Sequence, residues 1–299
     1  MKFHLDNSGR SCFNNCPRKY YWQMERGVRP RKGSTALRYG TVWHTILESH
    51  YEGKSFEEIV WDAGKSWQEE SMDQWFEDDY RTLTSAFDAY TLYKSHFEYD
   101  ESSLKILHTE RLFDISLGHI RDDVELRFTG KIDAEVEMDG MRWIFENKTT
   151  GQYMPTQANR LHRDPQIIGY SYAGQIQDTG IAGCIINLHH ISGRKKKDGD
   201  YGTINIDFAR VPNIFTEKDY EAWEESFIDT ALNILRAQYS MSWPMHLEAC
   251  YTYNKNCEYI PLCESHHDLV GDIPGDYYLR PWNMKVPGQN ILAVENVIE

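Results

Sequence analysis

Two groups of residues in this chain have the types and spacing to do chemistry. Asp133 lies near the middle of an alternating run, 124–138, and Glu146-Asn147-Lys148 closes the next run, 141–148. Residues two apart on a strand point to the same face, so Glu146 and Lys148 share one. If Asp133 shares it too, two carboxylates and an ammonium converge. Such a trio is either an ordinary cross-strand salt bridge or a place where carboxylate oxygens hold a hard divalent cation while the ammonium offsets negative charge. The second group is the cysteines. Cys16 stands near the start, and Cys250, Cys257 and Cys263 cluster near the end with six and five intervening residues. Four thiolates can bind a 4Fe–4S cluster or a tetrahedral zinc ion. Zinc sites usually pair cysteines two to four residues apart, so these gaps favour iron–sulfur and leave zinc as the alternative. Cys12 could replace Cys16 on spacing alone, and Cys184, inside an apolar run, reads as a small buried hydrophobe.

The elements that must position these residues follow from the pattern around them. Asp139-Gly140 between alternating runs signals a hairpin, which places Asp133 and Glu146 on partner strands. Strands are expected at 104–117, 124–138 and 141–148, then at 182–191 and 201–211. Asp6-Asn7-Ser8 offers N-cap chemistry to a short helix ending in Tyr20-Tyr21-Trp22, residues expected in its core rather than on a bound strand. Gly27 to Gly33 reads as a loop. Further helices are expected from Ser34 to near Gly53, over 55–75 and 79–98, from Pro155 to about 178, and over 216–239, with an irregular tail. This order suits an α/β fold with a mixed sheet flanked by helices. His189 and His190 alternate, so at most one of them can face a site.

Composition narrows the function. The chain has 299 residues, 32 Lys+Arg against 46 Asp+Glu, a net charge of −14 and 40% hydrophobic residues, which describes a folding, soluble chain. No apolar run is long enough to span a membrane. The N-terminus lacks a signal-peptide core, so the cytoplasm is expected, where cysteines are thiols or metal ligands rather than disulfides. The charge is uneven: residues 1–40 carry nine basic and two acidic residues, whereas 41–100 carry four and fourteen. Arg194-Lys195-Lys196-Lys197 is a second basic run between two apolar stretches, placed like a hairpin tip.

Gly130-Lys131-Ile132-Asp133, a hairpin, then Glu146-Asn147-Lys148-Thr149 resembles the core motif of the PD-(D/E)XK nucleases, and is most similar to their RecB-like branch. That branch adds a histidine in a Gly-x-x-x-His context, matched by Gly40 to His44, and a Gln-x-x-x-Tyr motif, matched by Gln166 to Tyr170. A glutamate ahead of the Gly-x-x-Asp segment is matched by Glu110. The resemblance covers about residues 4–263 and implies a restriction-endonuclease-like core, with an N-terminal helical region and a C-terminal cysteine cluster. It implies a single nuclease domain over 1–299: a helical region with a basic arm at 1–100, a catalytic sheet core at 101–215, a helix and cysteine cluster at 216–265 and a tail at 266–299. It also implies Mg²⁺ or Mn²⁺ held by His44, Asp133, Glu146 and the Asn147 carbonyl. Lys148, Gln166, Tyr170 and Glu110 would assist catalysis, and Cys16, Cys250, Cys257 and Cys263 would hold a 4Fe–4S cluster.

The expected function is a metal-dependent exonuclease on single-stranded or end-processed DNA in recombination, repair or phage DNA metabolism, with DNA, and a recombination or replication protein, as partners. The alternative is a non-cleaving iron–sulfur module on the same fold that binds DNA or protein.

Overall fold

The computed structural model describes residues 1–98, 103–177, 180–197, 199, 201–252, 255–265 and 273–292. The chain opens with β1 (Lys2–Asp6), α1 (Asn7–Asn15), α2 (Pro17–Tyr20) and β2 (Val28–Pro30). Next come α3 (Thr35–Tyr51), α4 (Phe56–Glu69) and α5 (Leu83–His96). Strands β3 (Leu104–Arg121), β4 (Val124–Met138) and β5 (Met141–Thr150) lead into α6 (Met154–Leu161) and α7 (Pro165–Gln177). After β6 (Ile181–Ser192), β7 (Asn205–Asn213) and α8 (Glu217–Ser240) the elements are short. They are β8 (Tyr251–Thr252), β9 (Lys255–Asn256), α9 (Ile260–Glu264), β10 (Tyr277–Leu279), β11 (Asn283–Val286) and β12 (Gln289–Leu292). The fold is α/β with a mixed sheet flanked by helices, as expected.

Local chemistry accounts for the boundaries. The Ser34 hydroxyl accepts from the Leu37 N–H and starts α3, and Gly53, at φ +75°, follows its end. Ser55 with Glu58 and Thr82 with Ser85 form reciprocal caps, which begin α4 and α5 at 56 and 83. Asp139 and Gly140 both take positive φ, 53° and 74°, and close the β4–β5 hairpin as its two-residue turn requires. The expected single helix from Pro155 is instead two. Asp164 breaks it by accepting the Gln166 N–H at 2.9 Å, and Pro165 opens the second helix.

The chain divides into two units: residues 1–32, 112–131 and 221–299, and residues 33–111 and 132–220. In the first, β1 pairs parallel with β4 at Lys2↔Glu125 through Asp6↔Thr129, a strand whose five residues are too few for a clear alternation. Phe128 packs against Trp223 and Phe227 of α8 at ring separations of 4.9 Å. Two expectations fail here. Val28–Pro30, read as loop, pairs with Tyr277–Leu279 of the supposedly irregular tail, so partners about 250 residues apart create two strands that neither segment signals alone.

In the second unit the later half of β4 pairs antiparallel with β5, β5 pairs parallel with β6, and β6 pairs antiparallel with β7. Helices cover both faces. Gly174 of α7 lies so close to Ile144 that a Cβ would stand 2.9 Å from its side chain, on the face that Glu146 and Lys148 also use. On the opposite face Gly40 of α3 lies against Thr149, where a Cβ would stand 3.3 Å from the threonine hydroxyl. Tyr39, Val42, Trp43, Ile46 and Leu47 of α3 form a core with Tyr90 and Tyr93 of α5.

Candidate active site

β4 and β5 part where the candidate residues lie. Their pairing runs from Met138↔Met141 to Ala134↔Phe145, and just beyond it the Asn147 N–H donates to Asp133 Oδ2 at 2.8 Å. The ladder has exchanged a backbone acceptor for a carboxylate, which fixes Asp133 at the splay point. Its other oxygen, Oδ1, lies 3.2 Å from His44 Nδ1, one helical turn beyond Gly40. The small Gly40 lets α3 approach β5 closely enough for that contact.

Glu146 and Lys148 share a face, as their spacing requires. Lys148 Nζ donates to Glu146 Oε1 at 2.7 Å and to Gln166 Oε1 at 2.9 Å, while Gln166 Nε2 donates to Glu146 Oε1 at 2.8 Å. This closed triangle joins β5 to the first turn of α7. Asp133 and Glu146 are 7% and 2% exposed, and Glu146 Oε2 is buried with no hydrogen-bond partner among the described residues. A buried carboxylate oxygen left unpaired is costly unless the group takes up a proton or a cation.

The electrostatics follow from this crowding. Burial pushes Glu146 up to about 7, with the Asp133 charge adding to the rise and Lys148 and His44 opposing it. Burial also disfavours ionised Asp133, but His44, Lys148 and the Asn147 N–H outweigh it and hold that carboxyl below its usual range. Burial likewise works against the charged forms of His44 and Lys148, yet the carboxylates raise both. One carboxyl therefore ionises readily and its neighbour reluctantly.

Behind Asn147 lies a polar network that sequence reasoning missed. Asn187 Nδ2 donates to Asn147 Oδ1 at 2.8 Å, to the Tyr93 hydroxyl at 3.0 Å and to the Tyr51 hydroxyl at 3.2 Å. The signals were present: Tyr51 is two helical turns from His44, and Asn187 is a lone amide in the otherwise apolar run 181–188.

Tyr170 is buried on α7 one turn after Gln166, and Glu110 sits in β3 with φ +51°, a conformation rare for its type inside a strand. His189 is buried beside Trp43, with Tyr39 Oη 3.3 Å from its Nε2, whereas His190 Nδ1 lies 2.9 Å from the Gln152 carbonyl. Neither belongs to the cluster around Glu146.

Among the described residues, no three His, Cys, Asp or Glu side chains converge so as to hold a metal. At the Asp133–Glu146 pair this is compatible with Mg²⁺ or Mn²⁺, because a small hard cation binds through one or two carboxylates and keeps several waters. The oxygen donors and the unpaired Glu146 Oε2 fit such an ion. For the cysteines it departs from expectation. All four are free thiols in the first unit. The His246 N–H points at Cys16 Sγ at 3.5 Å, Cys250 Sγ lies 3.9 Å from the His246 carbonyl, and the Cys257 N–H donates to the Cys250 carbonyl at 2.8 Å. They are neighbours, but among the described residues they do not form a group of three or more metal-ligating side chains. Cys12 is buried and its thiol pushed up to about 12, chiefly by that burial.

The basic arm is also committed elsewhere. Arg18 donates to the Trp243 carbonyl at 2.8 Å, Lys19 pairs with Glu258, and Arg29 and Arg31 lie over Trp282 and Tyr278. Tyr20 and Trp22 are buried, as core residues should be.

A model of the PD-(D/E)XK nuclease superfamily matches residues 8–264. Fifteen solved chains match, among them one described as the crystal structure of SSO0001, at 11% identity and a TM-score of 0.30, covering 66% of this chain and 74% of that one. No curated protein matches.

Proposed function

This chain belongs to the PD-(D/E)XK nuclease superfamily, a group of metal-dependent nucleases, and from that premise we propose that it hydrolyses DNA at the Asp133, Glu146 and Lys148 cluster. The observation that carries the assignment is the buried Asp133–Glu146 pair, closed on one side by Lys148 and Gln166 and left with an unpaired carboxylate oxygen. Asp133 and Glu146 would hold Mg²⁺ or Mn²⁺, with His44 and the Asn147 carbonyl beside them. The bound cation supplies Lewis acidity at the scissile phosphate and lowers the pKa of water.

The protein's own groups do the rest. Asn147, through its N–H, keeps Asp133 turned toward the site. Gln166 holds both the Lys148 ammonium and the Glu146 carboxylate by hydrogen bonds, so that Lys148 would meet the negative charge that grows on phosphate as water adds and the leaving oxygen departs. Tyr170 and Glu110 are supporting residues in this reading. The RecB-like motif set, His44 and Gln166 to Tyr170 with Asp133, Glu146 and Lys148, favours exonucleolytic action on single-stranded or end-processed DNA, in recombination, repair or phage DNA metabolism. Cys16, Cys250, Cys257 and Cys263 are assigned to a 4Fe–4S cluster on their spacing and their common neighbourhood.

End-labelled single- and double-stranded DNA, incubated with the protein in Mg²⁺ or Mn²⁺, tests the reading. Products shortened from an end, absent with Lys148→Ala, are expected. No cleavage with either cation, and no difference for the variant, would favour a module that only binds.

A further inference from the structure

Four consecutive cations at the β6–β7 turn have no part in the site described above. Arg194, Lys195, Lys196 and Lys197 are all exposed. Lys195 is 3.6 Å from Asp78 across two well-solvated side chains. No described carboxylate lies within ion-pair distance of Arg194, Lys196 or Lys197.

Their support is built. The Gly202 N–H donates to the Arg194 carbonyl at 2.9 Å, Lys195 bridges to Tyr201, and the Tyr201 hydroxyl donates to the Asp78 carbonyl at 3.0 Å. Tyr80 packs edge-on against Tyr201 with ring centroids 5.5 Å apart. Asp198 and Asp200, next in sequence, lie outside the described residues; the exposed cations at 194, 196 and 197 repel one another, and an anion that joins them relieves that repulsion.

The turn also lies at the right end of the sheet. β5 and β6 run parallel with Lys148 beside Leu188 and Thr150 beside His190, so both strands leave the sheet on the side where Lys148 stands. A Cβ at Gly151 would stand 3.6 Å from the Tyr80 hydroxyl, and one at Gly193 would stand 2.7 Å from the Tyr80 ring. Tyr80 therefore fills the space between the residue that follows β5 and the residue that precedes Arg194. Gly151 is three strand residues from Lys148, about 10 Å. Tyr153, just beyond it, is 73% exposed and offers a ring for a base to stack on.

We propose that Arg194, Lys196 and Lys197 form a phosphate track for single-stranded DNA, which receives the strand a few nucleotides away from the bond at Lys148, with Tyr153 stacking a base between them. The proposal rests on the nuclease reading for its substrate, but the binding it requires is measurable without cleavage.

The test is fluorescence anisotropy of a labelled thirty-nucleotide single strand bound to the full chain in EDTA, across a salt series. The triple variant R194Q/K196Q/K197Q is expected to weaken binding by roughly tenfold or more at low salt. It should also make the slope of log affinity against log salt less negative by about 2, at about 0.7 per phosphate contact. Lys105→Gln, an exposed cation on β3, serves as the control that leaves both unchanged. Melting curves identical to wild type show that the turn still folds. An unchanged affinity and slope for the triple variant overturns the track, and so does an equal loss of binding to poly-glutamate, which would make the turn a site for acidic protein. The two readings separate. Cleavage by wild type together with turn-independent binding removes the track alone. Turn-dependent binding without cleavage in Mg²⁺ or Mn²⁺ keeps the track and removes the nuclease.

Discussion

Glu146 is the residue on which the site turns. Its folded pKa lies above that of a free carboxyl, at about 7, so in the metal-free protein its contribution to stability is greatest below the unfolded value and is lost as pH rises through about 7. Urea unfolding in EDTA should therefore show Glu146→Gln gaining stability relative to wild type between pH 5 and pH 8. A divalent cation, which requires the ionised carboxylate, should stabilise wild type and so erase most of the variant's advantage, and an unchanged difference with Mg²⁺ present would count against metal binding here. Lys148→Ala is expected to lower turnover at saturating DNA about a hundredfold or more, the usual loss when one preorganised donor to a developing anion is removed, with a circular-dichroism spectrum like that of wild type.

At the level of elements, the site depends on how closely α3 can lie on β5. Gly40→Leu should force the two apart, because even a Cβ would sit 3.3 Å from Thr149 Oγ1. We expect a stability loss of about 1–3 kcal/mol by chemical denaturation, and a fall in turnover larger than the fall in DNA affinity, as His44 withdraws from Asp133. The same helix docks on β6 through His189, whose ring lies 4.1 Å from that of Trp43. Burial, with a smaller contribution from His190, lowers its pKa to about 3. A depressed histidine stabilises the fold above its unfolded value, near 6.5, and that stability drains away as pH falls toward 3. His189→Gln should flatten the acid limb of a thermal-melt pH profile between those values; an unaltered limb would place the acid sensitivity elsewhere.

For the whole molecule, the net charge of −14 bounds little about the partner until its distribution is known. Arg18, Lys19, Arg29 and Arg31 are spent on a carbonyl, a carboxylate and rings of the first unit, while on the β6–β7 turn only Lys195 pairs with a described carboxylate, Asp78. With a Debye length of about 8 Å at physiological salt, such a turn can attract phosphate despite acidic surface farther away. No helix among the described residues is long and apolar enough to cross a membrane. The cysteine proposal also belongs to this scale, because the four thiols come from opposite ends of the chain. Protein purified without oxygen should be brown and carry iron with acid-labile sulfide, and Cys257→Ser should lose both and melt at lower temperature. A colourless wild-type protein with zinc at full occupancy would assign the cysteines to zinc instead.

The period-2 runs, the Asp-Gly turn and the Ser and Thr caps made β4, β5 and the helices α3 to α5 legible in the sequence, because each depends on contacts within a few residues. For the same reason Glu146 and Lys148 could be placed on one face, and Gly40 and His44 one turn apart. Other features required partners distant in the chain. Val28–Pro30 is a strand only because Tyr277–Leu279 lies beside it, and Asn187 is a buried amide whose Nδ2 donates to Tyr51 and Tyr93. Sequence spacing brought the cysteines together in order, but whether their sulfurs meet depends on how loops pack, and among the described residues they do not form a metal-holding group. The sequence by itself determined which residues could do the chemistry and the local elements that carry them. Tertiary structure decided that Asp133 would leave the ladder for the Asn147 N–H and that Glu146 would be buried with an oxygen unpaired, because burial and charge coupling are properties of the packed chain.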